Sequence, residues 1–391
     1  MNSDSRFSWL HEELEELRAK NLYRRLKTIE GIEGVNATIE GKIVLLFCGN
    51  DYLGLSQHAE VIEAAQEVLN THGVGAASAR LISGTSEWHS LLESRLARFL
   101  GKESALVFST GYLANLGALS ALVHPEDTII LDKLCHASLI DAAQLAGATT
   151  RIYPHKNLDY LEKILKGIKS GRAWIVTDSL FSMDGDLAPL PELVNLKERF
   201  GAFLVLDEAH GTGVFGDRGR GVSEHFGVMD KIDVHIGTLS KALGAAGGFV
   251  AGEKVLIDYL VNRARPFIFE TAPPSAICAA AVKALEIMER EPGLRFKLWE
   301  NVKRLRSGLK AAGAPLLEGE SPIVPVVVGT EERALAAAEF LYRAEFLVPA
   351  VRYPTVSHGK ARLRITVSAV HAEDEIDDLI SAVKQWLSEA D

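Results

Sequence analysis

From about residue 43 the chain alternates short apolar runs with longer stretches of helical periodicity. Two of the runs, WIV at 174–176 and FLVL at 203–206, are apolar without interruption, the pattern of strands covered on both faces. The spacing predicts strands over 105–108, 128–131, 174–177, 203–206, 234–236 and 248–251. Helices are predicted between them over 90–100, 112–122, 139–145 and 158–168. Such alternation builds a mainly parallel sheet with helices on both sides, an α/β fold.

Upstream, Phe7, Leu10, Leu14, Leu17, Leu22 and Leu26 recur at near-helical spacing, while Glu12, Glu13, Glu15 and Glu16 fill the other face. An amphipathic helix is expected, and with no apolar partner in its own segment it should pack on the main body or on a second subunit. Beyond Cys278 a long helical stretch leads to a strand pair (323–328 and 361–367) and helices at 333–344 and 372–388, a smaller α+β unit. The expected division is an N-terminal helical segment (1–45), a large domain (46–285) and a small C-terminal domain (286–391).

Composition narrows the class. With 47% hydrophobic and 24% charged residues over 391 positions, the chain has the profile of a soluble globular protein. Its 42 basic and 52 acidic residues give a net charge of −10, which disfavours nucleic acid as a partner yet leaves room for a local anion site. No run of about 18 apolar residues predicts a membrane span, and the opening segment lacks a signal peptide's apolar core. Three widely spaced cysteines without a CxxC pair suit a reducing cytoplasm.

Four segments carry candidate chemistry. In LVLDEAHGTG (204–213), Asp207 ends an apolar strand, where ligands meet a parallel sheet, and His210 follows on the emerging loop. A capping Asp with an exposed His would leave the same pattern. In HIGTLSKALGAAGG (235–248), Lys241 follows a strand among Thr238, Ser240 and glycines. Burial and nearby positive charge would give that amine the neutral form Schiff-base chemistry needs; the plainer reading is a surface lysine after a tight turn. In ALVFSTGYLANLGAL (105–119), free N–H groups at a helix start from about Tyr112 offer either an anion site or an ordinary cap. In DKLCHASLIDA (132–142), His136 follows another strand end and suits stacking on a flat heteroaromatic ring. No second His or Cys stands at helical spacing from it, so a metal is not expected.

GVGAAS (73–78) lacks the third glycine of a dinucleotide fingerprint, and Walker A, HExxH and GxSxG signatures are missing. Together the four segments offer an acid, an amine, an anion cup and an aromatic face. Pyridoxal phosphate requires that set: a carboxylate for its ring nitrogen, a Schiff-base lysine and a phosphate cup.

NDYLGLS (50–56), CHASLIDAA (135–143), DSLFSMDGDLAPL (178–190), DEAHGTGVFGDRGRG (207–221) and TLSKALG (238–244) resemble the α-oxoamine synthases. These are fold-type-I pyridoxal-phosphate enzymes, aspartate-aminotransferase-like, that join an amino acid to an acyl thioester with loss of carbon dioxide. The resemblance runs to ARLRITVSAVHAEDEID (361–377), essentially the whole chain. DEAHGTG, FSMDGDLAPL, PFIFETAPPSA (266–276) and VRYPTVSHGKARLRI (351–365) lean toward the branch that condenses L-alanine with a pimeloyl thioester in biotin synthesis. Glycine-using relatives with acetyl or longer acyl donors are the alternative, and a non-catalytic binding protein on the same fold is a further one.

The resemblance implies Lys241 as the Schiff-base lysine that later moves the substrate's α-proton, Asp207 on the ring nitrogen and His136 over the ring. His210 and Ser182 are implied at the ring oxygen, and Gly111, Tyr112, Thr238, Ser240 and, across a homodimer with shared sites, the partner subunit's Thr271 at the phosphate. Asn50, Arg24, Thr355 and Arg364 are implied for substrate, Arg364 by a bidentate fork. The acyl carrier is coenzyme A or an acyl-carrier protein; an acidic carrier would want a basic patch, for which Arg24, Arg25, Lys27, Arg263 and Arg265 are the candidates. Tyr23 stands where the family often has Arg, Cys135 where it has Asn or Ser, and Glu270 where it has a small hydroxyl residue.

Overall fold

The computed structural model describes residues 6–390 and divides into two compact units, one of residues up to 49, 183–185 and from 299 onward, the other of 50–182 and 186–298. The first unit opens with α1 (Ser8–Ala19), which is shorter than the leucine spacing predicts. Asn21 takes a left-handed φ of 57°, and the Leu22 N–H donates back to the Leu17 carbonyl, a cap that turns the chain off the helix axis. Leu22 and Leu26 therefore fall outside the helix, and Leu26 is fully exposed. No side chain of α1 is buried, and Phe7, Trp9, Leu10, Leu14 and Leu17 are all exposed. Three short antiparallel strands follow that the apolar pattern does not announce, β1 (Gly31–Glu33), β2 (Asn36–Ile39) and β3 (Lys42–Leu46).

The second unit begins with α2 (Ala59–His72) and α3 (Glu87–Leu100). Its sheet contains β4 (Ser104–Phe108), β5 (Thr128–Asp132), β6 (Thr149–Tyr153), β7 (Ala173–Asp178), β8 (Phe203–Asp207), β9 (Val234–Thr238) and β10 (Gly248–Gly252). The order is β4-β10-β9-β8-β7-β5-β6; β5 to β9 run parallel, and β10 is antiparallel to both neighbours. The connecting helices are α4 (Gly111–Leu122), α5 (Ala137–Ala146), α6 (Leu158–Gly167), α7 (Leu190–Phe200), the single-turn α8 (Val222–His225), α9 (Lys254–Arg263), the single-turn α10 (Arg265–Ile268) and α11 (Ser275–Arg290).

All residues of β5, β7 and β9 are buried, which is why their centres carry apolar residues such as IIL and WIV. The edge strand β6, TTRIY, is mostly exposed, so no such run marks it. Val176, Val205 and Ile236 pack with Ala118 of α4 and Leu139 of α5 in one core, where each large buried aliphatic contributes about 1.5–3 kcal/mol. Because β5, β7, β8 and β9 point the same way, Asp132, Asp178, Asp207 and Thr238 end their strands along one edge, with Asp178 and Asp207 in direct register.

Pro292 breaks the long helical stretch after Cys278 into α11 and α12 (Gly293–Ala311). The first unit resumes with β11 (Ile323–Gly329), α13 (Glu331–Arg343), β12 (Phe346–Leu347), β13 (Ala350–Val351), β14 (Ala361–Thr366) and α14 (Glu373–Ala390). β14 pairs antiparallel with β11 and β13, while β12 adds parallel to β3. Among the described residues, no helix is long and apolar enough to cross a membrane.

Candidate active site

Asp207 ends β8 in the core of the second unit, 5% exposed. Its Oδ1 accepts the Ala209 N–H at 2.8 Å and its Oδ2 accepts Nδ2 of Asn115, on α4, at 2.7 Å. Beside it Asp178 is pushed up to about 8 by burial and by the charge of Asp207, while Lys241 pulls the other way. Of the strand-end carboxylates, Asp178 thus feels the charge of Lys241. Lys241 is half-buried, three residues beyond the end of β9, and Gly244, at φ 62°, closes the turn that carries it. A Cβ on Gly244 would meet the Ser56 nitrogen at 2.2 Å, so the turn admits no other residue.

His136 caps α5, its Nδ1 accepting the Ser138 N–H at 3.3 Å and lying 2.7 Å from Ser138 Oγ. Its own N–H donates to Asp178 Oδ2 at 2.9 Å. Burial and then the charge of Lys241 lower its pKa, against the opposing charge of Asp207. The net effect favours the neutral imidazole.

At the start of α4, where an anion cup is expected, two backbones meet closely. Thr110 caps the helix by accepting the Leu113 N–H at 3.1 Å, leaving the N–H groups of Gly111 and Tyr112 outside the helical ladder. A Cβ on Gly111 would lie 3.3 Å from the Thr238 side chain, and one on Gly248 only 2.4 Å from the Gly111 Cα. Thr238 Oγ1 donates to the Gly247 carbonyl and lies 2.8 Å from Ser240 Oγ, and Ser240 is exposed. Tyr112 is exposed, with its hydroxyl on Asp141. Thr271 is exposed too; its carbonyl accepts from Ser109 Oγ at 3.3 Å, and the two line a cavity of 310 Å³ with Ala76 and Pro273.

His210 is buried, and its Nδ1 lies 2.7 Å from the hydroxyl of Tyr52, which donates to Asn50 Oδ1 at 3.3 Å. The loop carrying it is stapled by Glu208, fully buried, which accepts the N–H groups of Val222 and Ser223 at 3.0 and 2.8 Å. Ser182 is half-buried on a loop fixed by His155, which bridges Asp132 at 2.9 Å and Asp186 at 3.0 Å. Burial works against charge on His155, but the two carboxylates outweigh it and raise it to about 9. Raised above its ordinary value of 6.5, it adds stability that is complete below that pH and is lost as pH climbs through about 9. His155→Gln should therefore unfold about 2 kcal/mol more readily at low pH. The gap should close in alkaline solution, as denaturant titrations at a series of pH values would record.

Arg24, Thr355 and Arg364 belong to the first unit. Arg24 and Thr355 are exposed, whereas Arg364 is buried on β14. The guanidinium groups of Arg18 and Arg25 lie 4.4 and 5.8 Å from the ring centroid of Tyr23.

Asn115, Ser138, Tyr52 and Asp178 are site residues that the sequence reading did not single out. Asp178 carried the same signal as Asp207, an acid closing an unbroken apolar run. For Asn115 the only hint was its place one turn after Gly111 on α4, which puts it under the helix start.

Residues 42–383 match the family model of class I and II aminotransferases. An 8-amino-7-oxononanoate synthase of Citrifermentans bemidjiense is 46% identical, over 96% of this chain and 97% of its own. 8-amino-7-oxononanoate synthase 1 of Bacillus velezensis is 40% identical over 98% of both. Among solved structures, serine palmitoyltransferase of Sphingomonas wittichii has a TM-score of 0.94 at 31% identity, covering 100% of this chain and 99% of that one. A structure of that type of enzyme with PLP has the same TM-score, 0.94, at 32% identity over 98% of each chain. With its strand-end acid, turn-borne lysine and backbone cup in place, this chain belongs to the class I and II aminotransferase family, within the α-oxoamine synthase group.

Proposed function

We propose that this chain uses pyridoxal phosphate to condense L-alanine with a pimeloyl thioester, yielding 8-amino-7-oxononanoate, carbon dioxide and the free thiol carrier, a step of biotin synthesis. The observation that carries the reading is Asp207, a buried carboxylate held by Asn115 and Ala209 on the sheet edge that Lys241 faces. The cup at Gly111 and Gly248, which a single Cβ would fill, suits a phosphate. When bound, pyridoxal phosphate supplies an aldehyde and an electron-accepting ring over which carbanion charge spreads.

The chain's residues divide the remaining work. Lys241 Nζ would hold the cofactor's aldehyde and, as a free amine, would carry the substrate's α-proton. Asp207 would hold the ring nitrogen, and His136 would lie against the ring. His210 and Ser182 would bond the ring oxygen, with the Tyr52 hydroxyl 2.7 Å from Nδ1 of His210. Gly111, Tyr112, Thr238, Ser240 and the partner subunit's Thr271 would hold the phosphate. Arg364 takes a substrate carboxylate through a two-pronged fork, with Asn50, Arg24 and Thr355 as further substrate contacts. A carbon–carbon bond forms between the alanine α-carbon and the acyl carbonyl, the thiolate leaves, and the original carboxylate departs as carbon dioxide.

A homodimer in the cytoplasm is part of the proposal. The exposed apolar face of α1 supports it, as do three cysteines without a disulfide. Coenzyme A or an acyl-carrier protein delivers the acyl group.

The test is product identification by mass spectrometry from alanine or glycine with pimeloyl or acetyl thioesters. Alanine with the pimeloyl donor should win over glycine by about 10- to 100-fold, the discrimination one methyl group allows. A preference for glycine would reassign the substrates, and protein showing no cofactor absorption band after addition of pyridoxal phosphate would mark a binding protein.

A further inference from the structure

We infer that Asn115 is a positioning residue that orients Asp207 and His136 together through the two hydrogens of a single amide nitrogen. The purpose of this arrangement rests on the cofactor reading above, but its geometry does not. Asn115 Nδ2 lies 2.7 Å from Asp207 Oδ2 and 2.8 Å from Ser138 Oγ, and Ser138 Oγ lies 2.7 Å from His136 Nδ1.

The direction of every hydrogen in this relay follows from valence. The ionised carboxylate of Asp207 only accepts, so the amide must turn its nitrogen toward it. A flipped amide would set its carbonyl oxygen against the carboxylate and strand the nitrogen. Having given one hydrogen to Asp207, the nitrogen has one left, and it goes to Ser138 Oγ. The serine hydroxyl then has its own hydrogen free for His136 Nδ1, which also accepts the Ser138 backbone N–H at 3.3 Å. Nδ1 thus faces two donors and has no room for a proton, so the neutral ring carries its hydrogen on Nε2.

The choice of residue is explained by the same count. Two acceptors must be served from one point, and a hydroxyl has one hydrogen to give. Asn115 does this at a cost: its Oδ1 is buried without a partner among the described residues. A buried orphan carbonyl is uncommon and is tolerated here because the nitrogen is fully used.

The electrical consequence concerns both neighbours. Asp207 of β8 and Asp141 of α5 favour a proton on His136, and Lys241 after β9 opposes it, while Asp178 of β7 meets only the backbone N–H. The relay sides with Lys241: it stabilises charge on Asp207 and blocks its transfer as a proton demand onto His136. The amide hydrogen bond favours the carboxylate form of Asp207, and the two donors at Nδ1 favour an unprotonated imidazole.

Asn115→Asp reverses the relay. A carboxylate at 115 would draw the Ser138 hydroxyl hydrogen to itself, leaving the serine oxygen to accept from a protonated His136. The experiment follows the His136 resonances of [15N]histidine-labelled apoprotein through a pH titration, assigned by their loss in His136→Gln. In the native protein Nδ1 should give the signal of a bare acceptor. Asn115→Asp should raise the titration midpoint and move the proton to Nδ1, Asn115→Leu should raise it less, and adding Ser138→Ala to Asn115→Asp should cancel most of the shift. In parallel, the dissociation constant for pyridoxal phosphate should rise about 10- to 100-fold in Asn115→Asp. An unchanged His136 titration in both folded Asn115 variants would overturn the inference, since a merely structural Asn115 would lower the melting point alone. If native protein fails to bind pyridoxal phosphate, the cofactor reading falls while the apoprotein titration still decides the relay.

Discussion

Replacing Lys241 by alanine is expected to slow product formation from L-alanine and a pimeloyl thioester by about 10⁴-fold or more. Two functions leave with one side chain, the nucleophile that holds the cofactor aldehyde and the base that moves the α-proton, and positioned proton transfer alone is commonly worth about 10²- to 10⁴-fold. The position itself is undemanding: Lys241 is half-buried on a turn closed by Gly244, so an alanine there should fold. Asn115 and Ala209 continue to hold Asp207 without it. Single-turnover product measurement on purified variant, with circular dichroism to confirm the fold, gives the answer. Activity within tenfold of native would remove Lys241 from the chemistry.

The second large effect concerns Asp207. Asp207→Ala should slow turnover by about 10²- to 10³-fold, because a buried charge pair left half-empty costs about 3–5 kcal/mol and most of that is felt as the ring takes up electrons. The loss should fall on turnover more than on folding. Removing Asp207 strands one hydrogen of Asn115, but it also relieves Asp178, whose protonation is favoured partly by the charge of Asp207. A thermal melt that barely moves, beside steady-state rates that collapse, is the expected signature. Substituting an exposed, capping aspartate would leave the rates unchanged, which separates this reading from the plainer one.

How much of this was legible beforehand depended on whether the signal was local. β7 and β9 are buried along their whole length and β8 along all but its first residue, and the apolar stretches WIV and FLVL mark β7 and β8, so the acid at the end of β8 and the lysine after β9 are readable by position. β6 is polar and exposed along its edge, and β1 to β3 are short, so the pattern passed over them. The helix at the N-terminus was seen but overextended, because leucine spacing continues past the cap at Asn21. The relay from Asp207 to His136 was out of reach for a different reason. Its members come from three separate segments, α4, α5 and the end of β8, and Asn115 and Asp207 stand 92 residues apart. Tyr52 and His210, 158 residues apart, pose the same difficulty. Spacing along a chain reports periodicity within an element, whereas these pairs exist only because neighbouring strands and their helices are stacked in register.

The glycines of the anion cup restrict how this chain can change. At Gly248 one added carbon would land 2.4 Å from the Gly111 Cα and 2.5 Å from its nitrogen, so there is no small step between glycine and a displaced helix. Variation at that position is all-or-none. Gradual adjustment of phosphate affinity is left to Thr238 and Ser240, where one hydroxyl can be lost or gained without moving a backbone, and drift among descendants of this chain should collect at those two positions while the glycines stand still.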